Sequence, residues 1–403
     1  MRLRRWNSGG MLLPLAPLLA LFALLFSWVP GFGNLPGFGQ LPGVGQLPGL
    51  GQLPGSGGLP GAGGLPGSGG LPGTGQGSGS TGSGSTGSGS TGTGSTGTGS
   101  TGSGGTGQNF SGNFTNSAGT RAYYGYIPST YKAGTALPLV VVLHGCTQTA
   151  DVIRQQTKFD ALAESQGFIT VYPEQPSSAN SEQCWNWFQT ADMSRGAGEP
   201  SIIAGITQWV QQHYTVDAKR VYVAGFSAGA AMADVMGATY PDLYAAIGVG
   251  SGIEYNGGTA ALGGQAIDPT QAGHDAFNAM GSFAREVPAL IFHGQQDTTV
   301  PVNNAAKLVQ QWQTTDSLAE YGSVSGSFPT SAVSTHNATS PGGQAYTVSS
   351  YNDGQGHEVV QEWLVANMGH AWSGGCSCES YSYPSGPDET QAMYSFFVQH
   401  PMP

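Results

Sequence analysis

Near the middle of the 403-residue chain stands the stretch VYVAGFSAGAAMA, residues 221–233. An apolar run of strand type enters a Gly-x-Ser-x-Gly turn, and a run of small residues with helical character leaves it. Such a turn is sharp, so Gly225 and Gly229 are needed to avoid clashes with neighbouring backbone. It lifts the Ser227 hydroxyl clear of a sheet and places it at a helix N-terminus, where the dipole favours a developing anion. The stretch therefore predicts a strand–turn–helix unit with Ser227 as a nucleophile.

A serine hydroxyl needs a base to take its proton, and the base needs an orienting acid. In this strand–turn–helix context the acid and then the base follow the serine along the chain. Asp297 is the clearest acid, because it lies in a loop after the apolar run PALIFHG. His370 follows the apolar run EWLVANM and precedes a Trp- and Gly-rich turn, which makes it the predicted base. The other candidates are interpreted as surface or capping carboxylates (Asp234, Asp242, Asp268, Asp275) or as solvated imidazoles (His336, His357, His400).

Negative charge that develops on a carbonyl oxygen needs two N–H donors. The residue after the nucleophile, Ala228, supplies one backbone N–H, and Cys146, after the run LPLVVVLHG, supplies the other. The adjacent His144 is either a ring donor or a packing residue, and packing is the favoured interpretation. Tryptophans near these loops either pack in the core or line an apolar cleft. The candidate substrate-binding residues are Trp185, Trp187 and Trp372.

Short apolar runs alternate with helical patterns from residue 120 to the end of the sequence. The runs are rich in Val, Ile and aromatic residues, which is typical of buried parallel strands. The alternation predicts one α/β domain with a doubly wound, mostly parallel sheet and helices on both faces. Together with the Gly-x-Ser-x-Gly turn, it indicates a fold of the α/β-hydrolase type. Residues 254–281 are either a cap over the site or a surface excursion. The predicted helices include 151–166, 200–213 and 228–240.

The N-terminal part of the chain differs in composition. Three arginines within the first five residues precede the uncharged stretch Met11–Val29, an arrangement typical of an export signal. This stretch is either cleaved, best after Gly31, or kept as an anchor, since it is just long enough to span a bilayer. Gly-rich hexad repeats over 35–76, and pentads after them, have too little apolar surface to order. We therefore predict an extracellular protein, secreted or tethered to the cell surface, with three segments: a signal peptide or anchor (1–31), a disordered linker (32–117) and a catalytic domain (118–403).

Charge and cysteine usage narrow the partners. All 23 acidic residues follow residue 117, whereas three of the 12 basic residues lie in the first five positions, so the predicted domain is acidic. We expect no binding to nucleic acid, and a membrane partner only if the apolar N-terminal stretch is uncleaved. Four cysteines in an exported chain favour disulfides over a metal site, and they allow three pairings. Cys146–Cys184 with Cys376–Cys378 is one such pairing, although the latter two cysteines can also be free or crossed. No metal or cofactor is expected, and the protein is expected to be a monomer.

Several separated stretches together resemble the esterase family named for poly(3-hydroxybutyrate) depolymerases, which also includes feruloyl and acetylxylan esterases. They cover nearly all of residues 120–400 and read LHGCTQTADVI, FITVYPEQ, CWNWF with RGAGEPSII, VYVAGFSAGAAMA, TYPDLYAAIGVGSG, HGQQDTTVP and GHAWSGG. The resemblance implies that Ser227, Asp297 and His370 form a catalytic triad, with Cys146 near the oxyanion hole. Two features depart from the family: the low-complexity segment precedes the domain instead of following it, and an insertion, CSCE from Cys376, follows the histidine motif. The first of these leaves action on crystalline polymer open.

These observations predict a secreted serine esterase that works through an acyl-enzyme. The expected substrate is a poly(3-hydroxybutyrate)-type polyester or its oligomers, and feruloyl or acetyl esters of plant polysaccharide are the alternative. A cell-envelope acyltransferase of similar fold is a second class. A non-catalytic surface protein is a third, although the intact Ser, Asp and His in the expected order argue against it.

Overall fold

The computed structural model describes residues 107–265, 267–324 and 331–403. The predicted signal segment and the repeats of the predicted linker lie outside these residues. The strands of the described part are β1 Gln108–Asn116, β2 Gly119–Ile127, β3 Leu137–Leu143, β4 Ile169–Glu174, β5 Val216–Phe226, β6 Ala246–Gly250, β7 Ala289–Gly294, β8 Ser334–Thr339, β9 Ala345–Asn352, β10 Glu358–Val365, β11 Trp372–Ser373 and β12 Ser382–Tyr383. The helices are α1 Ala150–Thr157, α2 Phe159–Gln166, α3 Gly198–His213, α4 Ala228–Thr239, α5 Pro269–Met280, α6 Asn303–Tyr321 and α7 Glu389–Gln399, with short 3-10 helices at Thr190–Asp192, Thr259–Gly263 and Gly281–Phe283.

Ten of these strands form one sheet in the order β1-β2-β4-β3-β5-β6-β7-β10-β9-β8. Every pairing from β4 to β10 is parallel, whereas the flanking hairpins, β1–β2 and β8–β9, are antiparallel. The predicted doubly wound α/β-hydrolase architecture is therefore confirmed. Because neighbouring parallel strands end at the same edge, loops after β3, β5, β7 and β10 meet there.

The sheet is covered on both faces. Alternate residues of β3 point to opposite sides, so Val141 lies in one apolar cluster while Val140 and Val142 lie in the other. Helices α3, α4, α5 and α6 cover the first cluster, and α1, α2 and α7 cover the second. Burial on both faces explains why the central strands read as continuous apolar runs in the sequence. No helix in the described part of the chain is long and apolar enough to cross a membrane.

Strand β1 corrects one predicted boundary. It lies within the segment 32–117, which the sequence predicts as disordered linker, yet it pairs with β2 along its whole length. Its apolar content is two phenylalanines: Phe110 packs on Gly125 of β2, and Phe114 packs on Gly205 of α3. Both glycines leave room for a ring, and the hairpin gains its stability from those contacts. The folded part therefore includes residues that the sequence assigns to the linker.

The helical predictions need smaller adjustments. The predicted helix 151–166 is two helices, because Lys158 has φ 60° and breaks the helical path between α1 and α2. In the segment 254–281, left open as a cap or a surface excursion, α5 packs closely on α6, where Gly273 approaches Thr314.

Two other interpretations of polar residues are wrong. Asp234 is fully buried, because every residue of α4 is buried, and it accepts hydrogen bonds from Gln311 and Trp312. His400 is not solvated, since its two ring nitrogens lie 2.7 and 2.8 Å from backbone carbonyl oxygens. Asp268 does cap α5 by accepting from the Thr270 amide at 2.8 Å. The exposed residues among the remaining candidates are Asp242, His336 and His357.

Candidate active site

The turn between β5 and α4 is strained backbone. Ser227 has φ 56° and ψ −121°, a conformation that a residue with a side chain rarely adopts. A Cβ atom on Gly225 would overlap the Gly229 carbonyl, and one on Gly229 would overlap the Leu143 carbonyl. Glycine is therefore required at both positions. The turn holds Ser227 at the carboxyl edge of the sheet, directly before the first residue of α4.

The structure brings Ser227, His370 and Asp297 together. His370 Nε2 lies 2.9 Å from Ser227 Oγ, and His370 Nδ1 lies 2.7 Å from Asp297 Oδ2. Asp297 follows β7, and His370 lies in the segment after β10, residues 366–388, which we call the histidine segment. These two strands are parallel neighbours, so both residues reach the same edge of the sheet. A carboxylate only accepts hydrogen bonds, so Nδ1 carries the proton and Nε2 presents its lone pair to the serine hydroxyl.

The Asp297 carboxylate is fully buried and surrounded by donors. Its Oδ1 accepts from the amides of Thr299 and Val300, each at 2.9 Å. Its Oδ2 accepts from His370 and lies 3.5 Å from His293 Nε2, whose shorter contact is with the Val300 carbonyl at 2.8 Å. Burial by itself raises the pKa of Asp297, but the hydrogen bonds from the two histidines, and their positive charge when protonated, outweigh it and hold that pKa well below its ordinary value. The carboxylate is therefore ionised and can orient the His370 ring.

The loop after β3 lies beside the nucleophile, since a Cβ on Gly145 would be 3.2 Å from Ser227 Cβ. His144 holds its backbone: the Gln175 amide donates to Nε2 at 3.0 Å, so Nδ1 carries the hydrogen and donates to the Gly145 carbonyl at 2.8 Å. A trans peptide is planar, with C=O and N–H pointing in opposite directions. The bond therefore sets the direction of the Cys146 N–H. Burial lowers the pKa of His144 to about 4, which keeps the ring neutral at higher pH.

The two amides predicted as oxyanion donors are available. Within the part of the chain that the structure describes, neither the Cys146 N–H nor the Ala228 N–H has a hydrogen-bond acceptor. Cys146 directly follows Gly145, which packs against Ser227, and Ala228 directly follows Ser227. Unpaired donors beside a nucleophile are what a developing oxyanion requires.

The sequence left open how the cysteines pair and whether the tryptophans pack in the core or line a cleft. The disulfides are Cys146–Cys184 and Cys376–Cys378. Trp185 and Trp372 are fully buried, so neither reaches a ligand in this conformation. Trp372 donates from Nε1 to Thr390 at 3.0 Å, and Trp185 lies against the His144 ring. Core packing therefore accounts for both, and Trp187 exposes only 6% of its surface.

The family model described as "Esterase PHB depolymerase" matches residues 121–326, slightly more than half of the chain. The chain belongs to this family. The resemblance predicted from the sequence motifs is thereby confirmed.

Named relatives of this PHB depolymerase family member fall into two groups. It is 34% identical over 266 residues to poly(3-hydroxyalkanoate) depolymerase C of Paucimonas lemoignei, over 64% of this chain and 60% of that protein. It is 33% identical over 211 residues to acetylxylan esterase A of Talaromyces purpureogenus, over 49% of this chain and 54% of that protein. The chain thus spans less than two thirds of either relative. Among solved structures, acetyl xylan esterase from Aspergillus awamori superposes with a TM-score of 0.52 at 27% identity, covering 62% of this chain and 89% of that one.

Two aromatic rings that the sequence did not single out contact the His370 ring of this family member. The ring centroids of Phe226 and Tyr381 lie 4.8 and 6.0 Å from that of His370. Phe226 precedes the nucleophile in the Gly-x-Ser-x-Gly motif, which was the available signal. Tyr381 lies in the histidine segment, where no pattern in the sequence indicates its position.

A buried carboxylate was also missed. Glu199, at the start of α3, accepts from both the backbone and the side-chain amide of Asn186 at 2.7 Å, and from Arg121 at 3.3 Å. Burial raises the pKa of Glu199. These bonds fix the loop that contains Cys184, and through its disulfide they restrain Cys146.

Within the described ranges, one group of side chains has the spacing for a metal ion. The ligand atoms of Glu286, Glu320 and Asp353 all lie within 4.8 Å of one another. None of the three belongs to the Ser227, His370 and Asp297 centre.

Proposed function

We propose that this family member is a serine esterase, with Ser227 as nucleophile, His370 as base and Asp297 as orienting acid. The observation that carries the proposal is the continuous pair of hydrogen bonds from Ser227 Oγ through His370 to Asp297, at a strained turn. Nucleophile, base and orienting group in hydrogen-bond contact are the signature of covalent acyl transfer. Membership of a family described as esterases supports the same reaction class.

In the first step, Ser227 Oγ attacks the ester carbonyl carbon while His370 Nε2 takes the hydroxyl proton. The carbonyl oxygen becomes an anion, and the N–H groups of Cys146 and Ala228 donate hydrogen bonds to it. The tetrahedral intermediate then collapses, the C–O bond of the alcohol breaks, and His370 returns the proton to the leaving oxygen. The product of this step is an acyl group bonded to Ser227.

In the second step, water replaces the alcohol. His370 Nε2 takes a proton from the water as the water oxygen attacks the acyl carbon. The bond from that carbon to Ser227 Oγ then breaks, His370 returns the proton to Oγ, and the carboxylic acid leaves. Throughout both steps the ionised Asp297 holds the Nδ1 proton of His370 and stabilises the imidazolium. Its low pKa, sustained by the two histidines against the effect of burial, keeps it from taking the proton itself.

For the substrate, we propose a hydroxyalkanoate polyester or its oligomers. Support comes from the similarity to a poly(3-hydroxyalkanoate) depolymerase and from the half-buried aromatic ring of Tyr381 beside His370. An acetylated polysaccharide is the second candidate, because acetylxylan esterases match at comparable identity and one of them superposes on this fold.

We also propose that the protein acts outside the cytoplasm. The two disulfides support this location, because thiols are kept reduced in the cytosol. The predicted export signal at residues 1–31, which lies outside the described residues, points the same way.

The test is product analysis on poly(3-hydroxybutyrate), acetylated xylan and methyl ferulate in parallel, with Ser227→Ala beside the native protein. We expect release of hydroxybutyrate or its oligomers, and a loss of at least about 10⁴-fold in Ser227→Ala. Ser165→Ala, an exposed serine of α2, serves as the control and is expected to keep full activity. Activity confined to acetylated xylan would select the second substrate, and unchanged activity of Ser227→Ala would refute the serine mechanism.

A further inference from the structure

Two buried glutamines connect the loop after β3 with the histidine segment. The Gly145 N–H donates to Gln148 Oε1 at 2.8 Å. Gln148 Nε2 donates to Gln156 Oε1 at 2.7 Å, and Gln156 Nε2 donates to the Tyr381 carbonyl at 2.6 Å. Gln148 is 3% exposed and Gln156 is fully buried, so water does not compete for these bonds. We call this chain of bonds the glutamine relay.

The donor at one end of the glutamine relay and the acceptor at the other end allow only one orientation of the two side-chain amides. A backbone N–H only donates, so Gln148 must present its oxygen to Gly145 and its nitrogen to Gln156. Gln156 must then present its oxygen to Gln148 and its nitrogen to the Tyr381 carbonyl, which only accepts. Turning either amide over would place two donors or two acceptors face to face. The relay is therefore satisfied as a unit or not at all.

Gln156 is tied to the histidine segment through its backbone as well. Its carbonyl oxygen accepts from the Cys376 amide at 2.9 Å. The Tyr381 carbonyl, at the far end of the relay, also accepts from the Trp372 amide at 2.7 Å. The Tyr381 ring contacts His370, so one network reaches both the base and the loop that contains Cys146.

At one end of the glutamine relay, Gln148 restrains the backbone of Gly145. Gly145 has no side chain to restrict its backbone dihedrals, and its peptide bond to Cys146 carries the N–H proposed to bind the oxyanion. His144 holds the carbonyl of Gly145, and Gln148 holds its N–H. With both groups held, the peptide plane that contains the Cys146 N–H has one orientation. The backbone amide of Gln148 also donates to the Gly145 carbonyl, at 3.3 Å, so Gln148 restrains Gly145 on both sides. Loss of either side-chain bond weakens the restraint on that plane.

We propose that Gln148 and Gln156 are positioning residues that fix the direction of the Cys146 N–H and couple it to the histidine segment. This inference rests on the serine esterase function proposed above. The glutamines touch neither substrate nor reacting atoms, and they act through Gly145. A purely structural role predicts a loss of stability alone, whereas a positioning role predicts a selective loss of transition-state stabilisation.

The experiment compares Gln148→Met, Gln156→Met and the double variant, which keep side-chain length without the amide. We expect kcat to fall about 10- to 100-fold, because small misplacement of a catalytic group has effects of that order, and KM to change less than about 3-fold. If the two glutamines act as one unit, the second substitution adds little to the effect of the first. The double variant should therefore have the same kcat as the single variant with the lower kcat. Gln311→Met is the control: this glutamine is equally buried but is bonded to Asp234 and Tyr255, so its loss should lower stability and leave kcat within about 2-fold.

A second readout separates positioning from general damage. Affinity for a phosphonate analogue of the tetrahedral intermediate should fall by the same factor as kcat/KM, while affinity for the carboxylate product stays unchanged. If the methionine variants do not fold, Gln148→Glu and Gln156→Glu keep the volume and the oxygen acceptor but place oxygen where the next donor is required. The same loss of kcat is expected from them.

Unchanged kcat in these variants, or losses that multiply in the double variant, would overturn the relay. That outcome is distinct from failure of the esterase proposal. If Ser227→Ala is inactive and the glutamine variants keep full kcat, only the relay is wrong. If Ser227→Ala keeps its activity, the serine mechanism itself is wrong.

Discussion

The turn that carries Ser227 and the histidine segment meet at one centre, but different interactions build them. The turn is fixed by backbone sterics within a few residues and is backed by a fully buried helix, α4. The histidine segment has only the two-residue strands β11 and β12 as regular structure. Side chains from distant elements hold it: Lys158 donates to the Gly374 carbonyl at 3.0 Å, and Glu389 accepts from the Ser373 amide at 2.9 Å. Local rules thus place Ser227, and long-range bonds place His370.

The largest expected effect comes from the contact where the two regions act together. Asp297→Asn keeps the shape of the acid but lets an amide face His370, which favours the wrong ring tautomer. We expect kcat to fall about 10³- to 10⁴-fold with little change in the urea midpoint of unfolding. Asp275→Asn, a carboxylate of α5 outside the centre, is the control for the loss of one charge. A loss below 10-fold would mean that Asp297 does not orient the base.

The turn that carries Ser227 should tolerate the substitution of a glycine less well than a glycine with open space around it. In Gly229→Ala the new methyl group meets the carbonyl oxygens of Leu143, the last residue of β3, and of His144, which follows it. This backbone cannot move aside without disturbing the sheet. We expect a destabilisation of about 3 kcal/mol or more and a matching loss of activity, measured by urea unfolding and ester hydrolysis. Gly263→Ala is the matched control, because a Cβ there meets nothing within 4 Å and its φ is ordinary. Equal stability of the two variants would contradict a sterically fixed turn.

The two disulfides differ in the length of chain that each of them closes. Cys146–Cys184 joins residues 38 apart, and Cys376–Cys378 joins residues two apart. Because a longer loop restricts the unfolded chain more, replacing Cys146 and Cys184 by serine should cost about 3–4 kcal/mol, and the other pair less than about 2 kcal/mol. The first replacement should also lower kcat, since it frees the loop of the Cys146 N–H. Urea unfolding and kcat of both double variants check this. Equal losses of stability and kcat in the two would contradict a larger role for the disulfide that closes the longer loop.

The last expected effect is on stability alone, a pH dependence that arises in α4, the helix that follows Ser227. Burial raises the pKa of Asp234 to about 8, so the folded protein binds a proton there that the unfolded chain releases above its ordinary value of 3.8. The folded state holds more protons between these values, so this contribution to stability is lost as pH rises toward 8. Asparagine mimics the protonated acid, and Asp234→Asn should therefore lose less stability than the native protein between pH 5 and pH 8.

Urea midpoints at several pH values measure the effect. Asp151→Asn, an exposed carboxylate of α1, should follow the native curve. Parallel curves for Asp234→Asn and the native protein would show that Asp234 is ionised when buried.

The same contrast explains what the sequence could predict. Strand–turn–helix order, the Gly-x-Ser-x-Gly spacing and apolar runs are local signals, and they identified the α/β-hydrolase fold and the three residues that the structure brings together at Ser227. The strand β1 carries only Phe110 and Phe114 as apolar residues, and the contacts of these rings with α3 and the residues after it, at Gly205, Trp209 and Tyr214, lie far along the chain. The contacts of Tyr381 and the burial of Trp372 depend on packing across the sheet edge, which no local spacing encodes.

The neutral ring of His144 has a consequence for acid tolerance. When pH falls toward 4, protonation of Nε2 would set an N–H of the ring against the N–H of Gln175, and these two donors repel each other. The loop beside Ser227 would then be pushed out of place from behind, through its backbone. A ring that is not proposed to touch the ester thus limits how far this loop keeps its shape in acid, and a variant with an acid-resistant loop would have to be sought at this buried position.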